Sequence, residues 1–219
     1  MTDVNEELLD EIKKRNPNIE QINNLMESGA NLNYKDDDGN SPIILASKYG
    51  RPDVVELLLS RGANPNDKDS YGNSPILWAS GNDHYNVVNL LLSSGADPNN
   101  QDNYGNSAIM LASGKGHLDI VKLLLFMGAN KDLQNNNGQT AFQLAGNNIK
   151  IKDLLSNWNT TMGLAVTQGL GLDPGNQMDL AGFLRPEPSG GKKRNKKSNK
   201  RKIKSKKSKK SKKSKKKRK

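Results

Sequence analysis

The chain repeats itself every 33 residues, and that period constrains its fold more than any other feature. Glycines fall at Gly39, Gly72, Gly105 and Gly138, and a second series runs through Gly29, Gly62, Gly95 and Gly128. Whole phrases travel with them. Asp38-Gly-Asn-Ser-Pro-Ile-Ile-Leu-Ala-Ser returns as Tyr71-Gly-Asn-Ser-Pro-Ile-Leu-Trp-Ala-Ser and as Tyr104-Gly-Asn-Ser-Ala-Ile-Met-Leu-Ala-Ser. Val54-Val-Glu-Leu-Leu-Leu-Ser-Arg-Gly-Ala-Asn is matched by Val87-Val-Asn-Leu-Leu-Leu-Ser-Ser-Gly-Ala-Asp and by Ile120-Val-Lys-Leu-Leu-Leu-Phe-Met-Gly-Ala-Asn. A unit this small cannot bury its own apolar face, so the copies must stack and share a continuous core.

Each unit reads as two short helices and a turn. Ser41, Ser74, Ser107 and Thr140 stand where a helix N-cap hydroxyl would, and Pro42 and Pro75 follow at the first helical position. Val54, Val55, Leu57, Leu58 and Leu59 form an apolar stripe on the second helix. Gly62, Gly95 and Gly128 follow as left-handed C-caps, and the Asn/Asp/Gly-rich stretch 64–72 reads as a β-turn finger.

This pattern resembles the ankyrin repeat, with its 33-residue period, its Thr-Pro-Leu-His entry to helix one and its Leu-Leu-Leu-x-x-Gly-Ala end to helix two. The resemblance implies an all-α solenoid of stacked helix-turn-helix units with β-turn fingers over residues 1–158. It divides into an N-terminal capping unit over about 5–36, three full repeats over about 37–135 and a shortened last unit over about 136–158. The last unit reads as about three residues short. One departure stands out. The tetrapeptide is Ser-Pro-Ile-Ile, Ser-Pro-Ile-Leu, Ser-Ala-Ile-Met and Thr-Ala-Phe-Gln, so Ile44, Leu77 and Met110 replace the family's histidine with apolar contact. Each such side chain is worth about 1.5–3 kcal/mol when buried.

Little in the sequence suggests catalysis. There is no Cys, hence no disulfide, no thiolate metal site and no thiol nucleophile. His84 and His117 occupy the turn between helices and read as structural. Asp36, Asp37 and Asp38 lie on a finger tip without an apolar pocket, and their spacing is not that of an EF-hand loop. Gly169-Leu-Gly-Leu-Asp-Pro-Gly has no flanking strand and helix to make it a nucleotide loop. The reading is a non-enzyme without catalytic residues, metal ligands or cofactor. The apolar run Leu123–Met127 is far short of a membrane span, and the start of the chain is unlike a secretory leader.

The resemblance implies protein binding through finger tips and the inner face of the first helices. The residues placed there are Asp37, Asp38, Lys48, Tyr49, Ser70, Tyr71, Asn73, Asn103, Tyr104, Asn106 and Lys115. Tyr71 and Tyr104 stand 33 apart along one ridge, either as interface anchors or as spacers between fingers. Trp78 reads as a core or groove-edge residue. Asp36, Asp37, Asp38, Asp67, Asp69 and Asp102 gather on the fingers, either as an acidic rim favouring a basic partner or as turn formers.

Beyond the repeats, 159–191 reads as a disordered linker, in which Met178–Leu184 is either a short docking segment or unstructured. Residues 192–219 hold 20 cations and no acid, so the formal charge of +11 for the whole chain hides an acidic body and a polycationic tail. Lys192, Lys193, Arg194, Lys196, Lys197, Lys200, Arg201 and Lys202 resemble basic nuclear import signals and suit non-specific contact with DNA or RNA phosphates. The tail also invites fold-back onto the finger acids. The Asn/Lys richness resembles ankyrin proteins of large DNA viruses or AT-rich protists. The expectation is a monomeric intracellular adaptor, nuclear or nucleolar and otherwise cytoplasmic, with an unidentified protein partner. The alternative is a nucleic-acid packaging protein in which the solenoid is a carrier.

Overall fold

The computed structural model describes residues 3–167, with side chains described through residue 158. They form α1 (Val4–Lys13), α2 (Ile19–Glu27), α3 (Pro42–Lys48), α4 (Pro52–Ser60), α5 (Pro75–Gly81), α6 (Tyr85–Ser93), α7 (Ala108–Lys115), α8 (Leu118–Phe126), α9 (Ala141–Leu144) and α10 (Ile149–Thr167). The first helices α1, α3, α5, α7 and α9 stack in one row, and α4, α6, α8 and α10 form a second row behind it. Helices of seven to nine residues are too short to persist alone in water. Their stability comes from burial between neighbours. Every residue from Pro42 to Ser47 is buried, whereas α4 buries only the stripe Val54, Val55 and Leu58.

The apolar substitutes for histidine sit where expected. Ile44, Leu77 and Met110 are essentially inaccessible to solvent. The capping expectation needs correction. Ser41, Ser74 and Ser107 do occupy N-cap positions with extended backbone, but their hydroxyls make no capping bond. All three hydroxyls are buried without a hydrogen-bond partner. The helices start instead on the serine carbonyls, which accept from Leu45, Leu77 and Leu111 amides at 3.0 Å each. At Thr140 the amide donates to Oε1 of Gln143 at 2.7 Å.

The fingers are closed by one recurring clasp. Asp69 Oδ1 accepts the amides of Tyr71 (2.9 Å) and Asn73 (2.8 Å), while the Asp69 amide donates back to the Asn73 carbonyl at 3.1 Å. Asp36 and Asp102 do the same in their own fingers. Asn135 replaces the aspartate in the last finger and keeps both amide bonds, to Asn137 at 3.0 Å and Gln139 at 2.9 Å. The clasp therefore needs a side-chain oxygen at this position, and asparagine supplies it without the charge.

Clasped fingers then bond to each other. The amides of Ser70, Asn103 and Asn136 donate to the carbonyls of Asp38, Tyr71 and Tyr104 at 3.1, 3.0 and 2.9 Å. A parallel column uses side chains: Lys35, Lys68 and Gln101 reach the carbonyls of Lys68, Gln101 and Gln134 at 2.6, 3.1 and 3.1 Å. The left-handed finger glycine is what lets the strips approach. A Cβ on Gly72 would lie 2.9 Å from the Asn103 amide nitrogen, but one on Gly138 would meet nothing within 4 Å, because no finger follows it among the described residues.

The turns between helices carry a third column. His84 Nε2 lies 3.2 Å from the Lys48 carbonyl and His117 Nε2 lies 3.3 Å from the Gly81 carbonyl, so each ring ties its unit to the one before. Gly50 and Gly116 take left-handed backbone at this turn, and Asp83 stands in the equivalent place with φ +62°.

The two ends depart from the repeat. In the capping unit Glu11 is buried at 2% exposure, with its carboxylate accepting the Asn18 amide at 2.9 Å and the Lys14 ammonium at 2.5 Å. Burial alone would push this carboxyl up, but the Asn18 amide and Lys14 hold it below its ordinary value. At the other end α9 is a single turn, and α10 begins 31 residues after α8, so the last unit is two residues short rather than three. Helix α10 continues to Thr167, nine residues past the expected end of the solenoid and into the stretch read as linker.

Two predictions test the clasp and the approach it permits. Asp69→Ala leaves buried donors unpaired and should destabilise the protein by about 2–3 kcal/mol in denaturant unfolding. Asp69→Asn, which imitates the last finger, should cost less than half as much. Gly72→Ala and Gly138→Ala share the strain of a left-handed alanine, but only the first crowds the next finger. Gly72→Ala should therefore lose about 1–3 kcal/mol more than Gly138→Ala, as overpacking does elsewhere, and equal losses would contradict the contact.

Candidate functional site

The candidate surface lies along the finger tips and the exposed edge of the first-helix row. The 33-residue period places equivalent side chains side by side on it. Leu45, Trp78, Leu111 and Leu144 form one row, buried at Leu45 and half-buried from Trp78 onward. Lys48, Gly81 and Gly114 form the next row, one helical turn further along. Only the first of these has a side chain, so the floor beside Trp78 and Leu111 is low.

Trp78 is fixed on both sides. Its Nε1 donates to Asp69 Oδ2 at 2.9 Å, so the clasp also sets the orientation of the indole. Lys48 Nζ stands 4.3 Å from the centre of its ring, a cation–π contact made from the preceding repeat. From the following repeat, Lys115 Nζ lies 3.7 Å from the point where a Gly81 Cβ would be. Both lysines therefore converge on the same turn of α5. Neither they nor Lys68 forms an ion pair among the described residues.

The structure places the expected binding residues as follows. Tyr71 and Tyr104 are exposed at 52% and 65%, and Tyr49 is also exposed. Asp37, Asp38, Ser70 and Asn103 are exposed on the fingers, with the Asn103 amide group donating to the Ser70 carbonyl at 3.3 Å. Asn73 and Asn106 are half-buried and turn inward, donating to Asp69 Oδ2 at 3.1 Å and Asp102 Oδ2 at 3.2 Å. Asn106 Oδ1 further accepts from Asn135 at 3.1 Å. Lys48 lies over Trp78, and Lys115 is exposed. Residues 192–219, with every basic residue assigned to nucleic acid and any fold-back onto the fingers, lie outside the described residues, as does Met178–Leu184.

The six aspartates assigned to the acidic rim divide by role. Asp36, Asp69 and Asp102 are spent on finger clasps, and Asp69 is nearly inaccessible. Asp67 pairs with Lys35 at 2.9 Å. Burial would raise the Asp67 carboxyl, yet the nearby Ser41 hydroxyl, the Lys35 ammonium and the Lys68 amide hold it below its usual value. The Ser41 hydroxyl approaches without meeting hydrogen-bond geometry. Of the six aspartates assigned to the rim, Asp37 and Asp38 are the exposed ones that neither clasp a finger nor form an ion pair among the described residues.

The sequence reading missed the Lys48–Trp78 pair. The signal was available in the period: 33 residues from Lys48 is Gly81, and one turn back on the same face is Trp78. Among the described residues no helix is long and apolar enough to cross a membrane.

A search of curated proteins finds no match to the chain. Family models do match it. One described as ankyrin repeats in three copies covers residues 12–102, and one described as ankyrin repeats in many copies covers residues 91–145. Together with the stacked helix pairs and bonded fingers, these matches over more than half the chain make it a member of the ankyrin repeat family.

Proposed function

We propose that the protein is a non-enzymatic adaptor that binds a partner protein across its fingers and first helices and carries a polybasic tail for nucleic acid. Ankyrin repeats are protein-interaction modules, and the tyrosine ridge is the observation that supports this face. Tyr71 and Tyr104 leave much of their rings in solvent while their own carbonyls are bonded into the next finger. Rings held on a fixed backbone present apolar area at little further entropy loss, which is how aromatic anchors act in interfaces.

The tail supplies a separate, sequence-blind attachment. Its 20 cations on 28 residues carry no aromatic residue for base stacking. Five serines, Ser198, Ser205, Ser208, Ser211 and Ser214, lie among the lysines, and each phosphate would add about −1.5 to −2 charge. Import into the nucleus follows from the same basic runs. The density of this charge also favours a second reading, in which the tail packages nucleic acid and the solenoid is a carrier.

Two outcomes are expected. In capture from nuclease-treated extract, Tyr71→Ala/Tyr104→Ala in the full chain should lose most of the partner retained by the unsubstituted protein; undiminished capture would remove these residues from the interface. In duplex DNA binding, the logarithm of affinity should fall against log salt with a slope near −9 if about ten tail cations engage phosphate. A peptide of residues 192–219 that equals the whole chain in affinity and slope would favour the carrier reading, provided no protein partner is captured.

A further inference from the structure

The adaptor reading leaves open what chemistry the surface recognises, and the cluster around Trp78 answers that. Two ammonium groups from different repeats lie along one turn of α5, one at Trp78 and one at Gly81. Lys48 Nζ is 4.3 Å above the indole, and Lys115 Nζ is close to the backbone at Gly81. No carboxylate pairs with either one among the described residues. The acid that holds Trp78, Asp69, is already occupied by the amides of Tyr71 and Asn73, the Asn73 side chain and Trp78 Nε1, and is only 7% exposed. It cannot turn outward to neutralise them.

Beside these cations lies partly exposed apolar area. Trp78 and Leu111 are half-buried, and Gly81 and Gly114 add no side chain of their own beside them. Two unpaired cations flanking a low apolar floor match an anionic group carried next to an apolar one. We propose that Trp78, Lys48 and Lys115 form a recognition site for an acidic segment of the partner, in which a side-chain carboxylate bridges the two ammonium groups and a neighbouring aliphatic side chain lies on Trp78 and Leu111. This inference rests on the adaptor reading. Binding replaces the cation–π contact of Lys48 with charge-assisted hydrogen bonds, which are the stronger interaction. The ammonium groups act as point charges, so they suit a flexible carboxylate without a fixed fork. Nucleic acid is the weaker candidate, because two cations release few counterions compared with the 20 in the tail.

The site carries its own reporter. The chain has two tryptophans, and Trp158 is buried at 8% exposure, whereas Trp78 loses a cation from its ring when the carboxylate binds. The probe is a short amidated peptide alternating Glu and Leu, titrated into the full chain at physiological salt and followed by tryptophan emission. A saturable change is expected. Lys48→Gln/Lys115→Gln should weaken it about tenfold, as loss of charge-assisted bonds predicts, and Trp78→Phe should abolish the signal with far-UV dichroism unchanged. A peptide with Lys in place of Glu should leave the emission unmoved. Binding with wild-type affinity in Lys48→Gln/Lys115→Gln would belong to the tail and overturn the proposal. So would a single-stranded oligonucleotide that moves the Trp78 signal as strongly and with the same dependence on both lysines. If the Glu–Leu peptide is silent while partner capture still depends on Tyr71 and Tyr104, the acidic-segment site fails and the adaptor reading stands. If capture is lost as well, both fail.

Discussion

Every level of this structure depends on the carboxylate clasp at the base of the finger. It turns the chain sharply enough to bring an amide and a carbonyl to the finger edge, where they meet the next finger. Without it, each helix pair would be a nine- and a seven-residue segment, below the length at which a helix holds itself. The clasp also reaches into the binding surface, because Asp69 holds the indole nitrogen of Trp78. Solenoid stability is the sum of unit and interface contributions. Here one side chain serves both, closing its own finger and shaping the surface beside the next helix.

The departure from the family's histidine places apolar side chains inside the stack. Ile44, Leu77 and Met110 contribute burial where a polar contact would otherwise sit, at about 1.5–3 kcal/mol each. Polar ties between units are made by His84 and His117 on the helix turns and by the Lys35, Lys68 and Gln101 column on the fingers. The serine hydroxyls at the helix entries share in this change. With apolar neighbours at 0–1% exposure, they are enclosed in the stack, and capping falls to backbone carbonyls.

Period and phrase made most of the fold legible. The helix pairs, the left-handed glycines at Gly62, Gly95 and Gly128, and the stripe on α4 all follow from local chemistry that recurs. What the sequence hid were features without a counterpart 33 residues away. The extension of α10 has none: nothing between Trp158 and Thr167 breaks a helix except Gly163, and the next proline is Pro174. The reading stopped where the repeat stopped, although the helix did not. Glu11 in the capping unit has no such counterpart either, and it is buried, with its carboxylate accepting the Asn18 amide at the turn. In the candidate site Tyr71 and Tyr104 could be placed from spacing, but the inward turn of Asn73 and Asn106 could not, since either side of a finger is consistent with a repeating asparagine.

Charge counting misjudged the surface for a related reason. Net charge treats every carboxylate as free, whereas a solenoid built on clasped turns withdraws some of them from solvent. Of the six aspartates assigned to the rim, three close turns and one pairs with Lys35. The lysines of the same surface are withdrawn less completely: Lys48 has only an aromatic ring as partner, Lys68 only a carbonyl, and Lys115 no ion pair among the described residues. An acidic body thus presents cations around Trp78. What a carboxylate can offer a partner depends on how much of it is already hydrogen-bonded within the fold, and here the clasps claim Asp36, Asp69 and Asp102, with Asn135 serving the last finger without a charge.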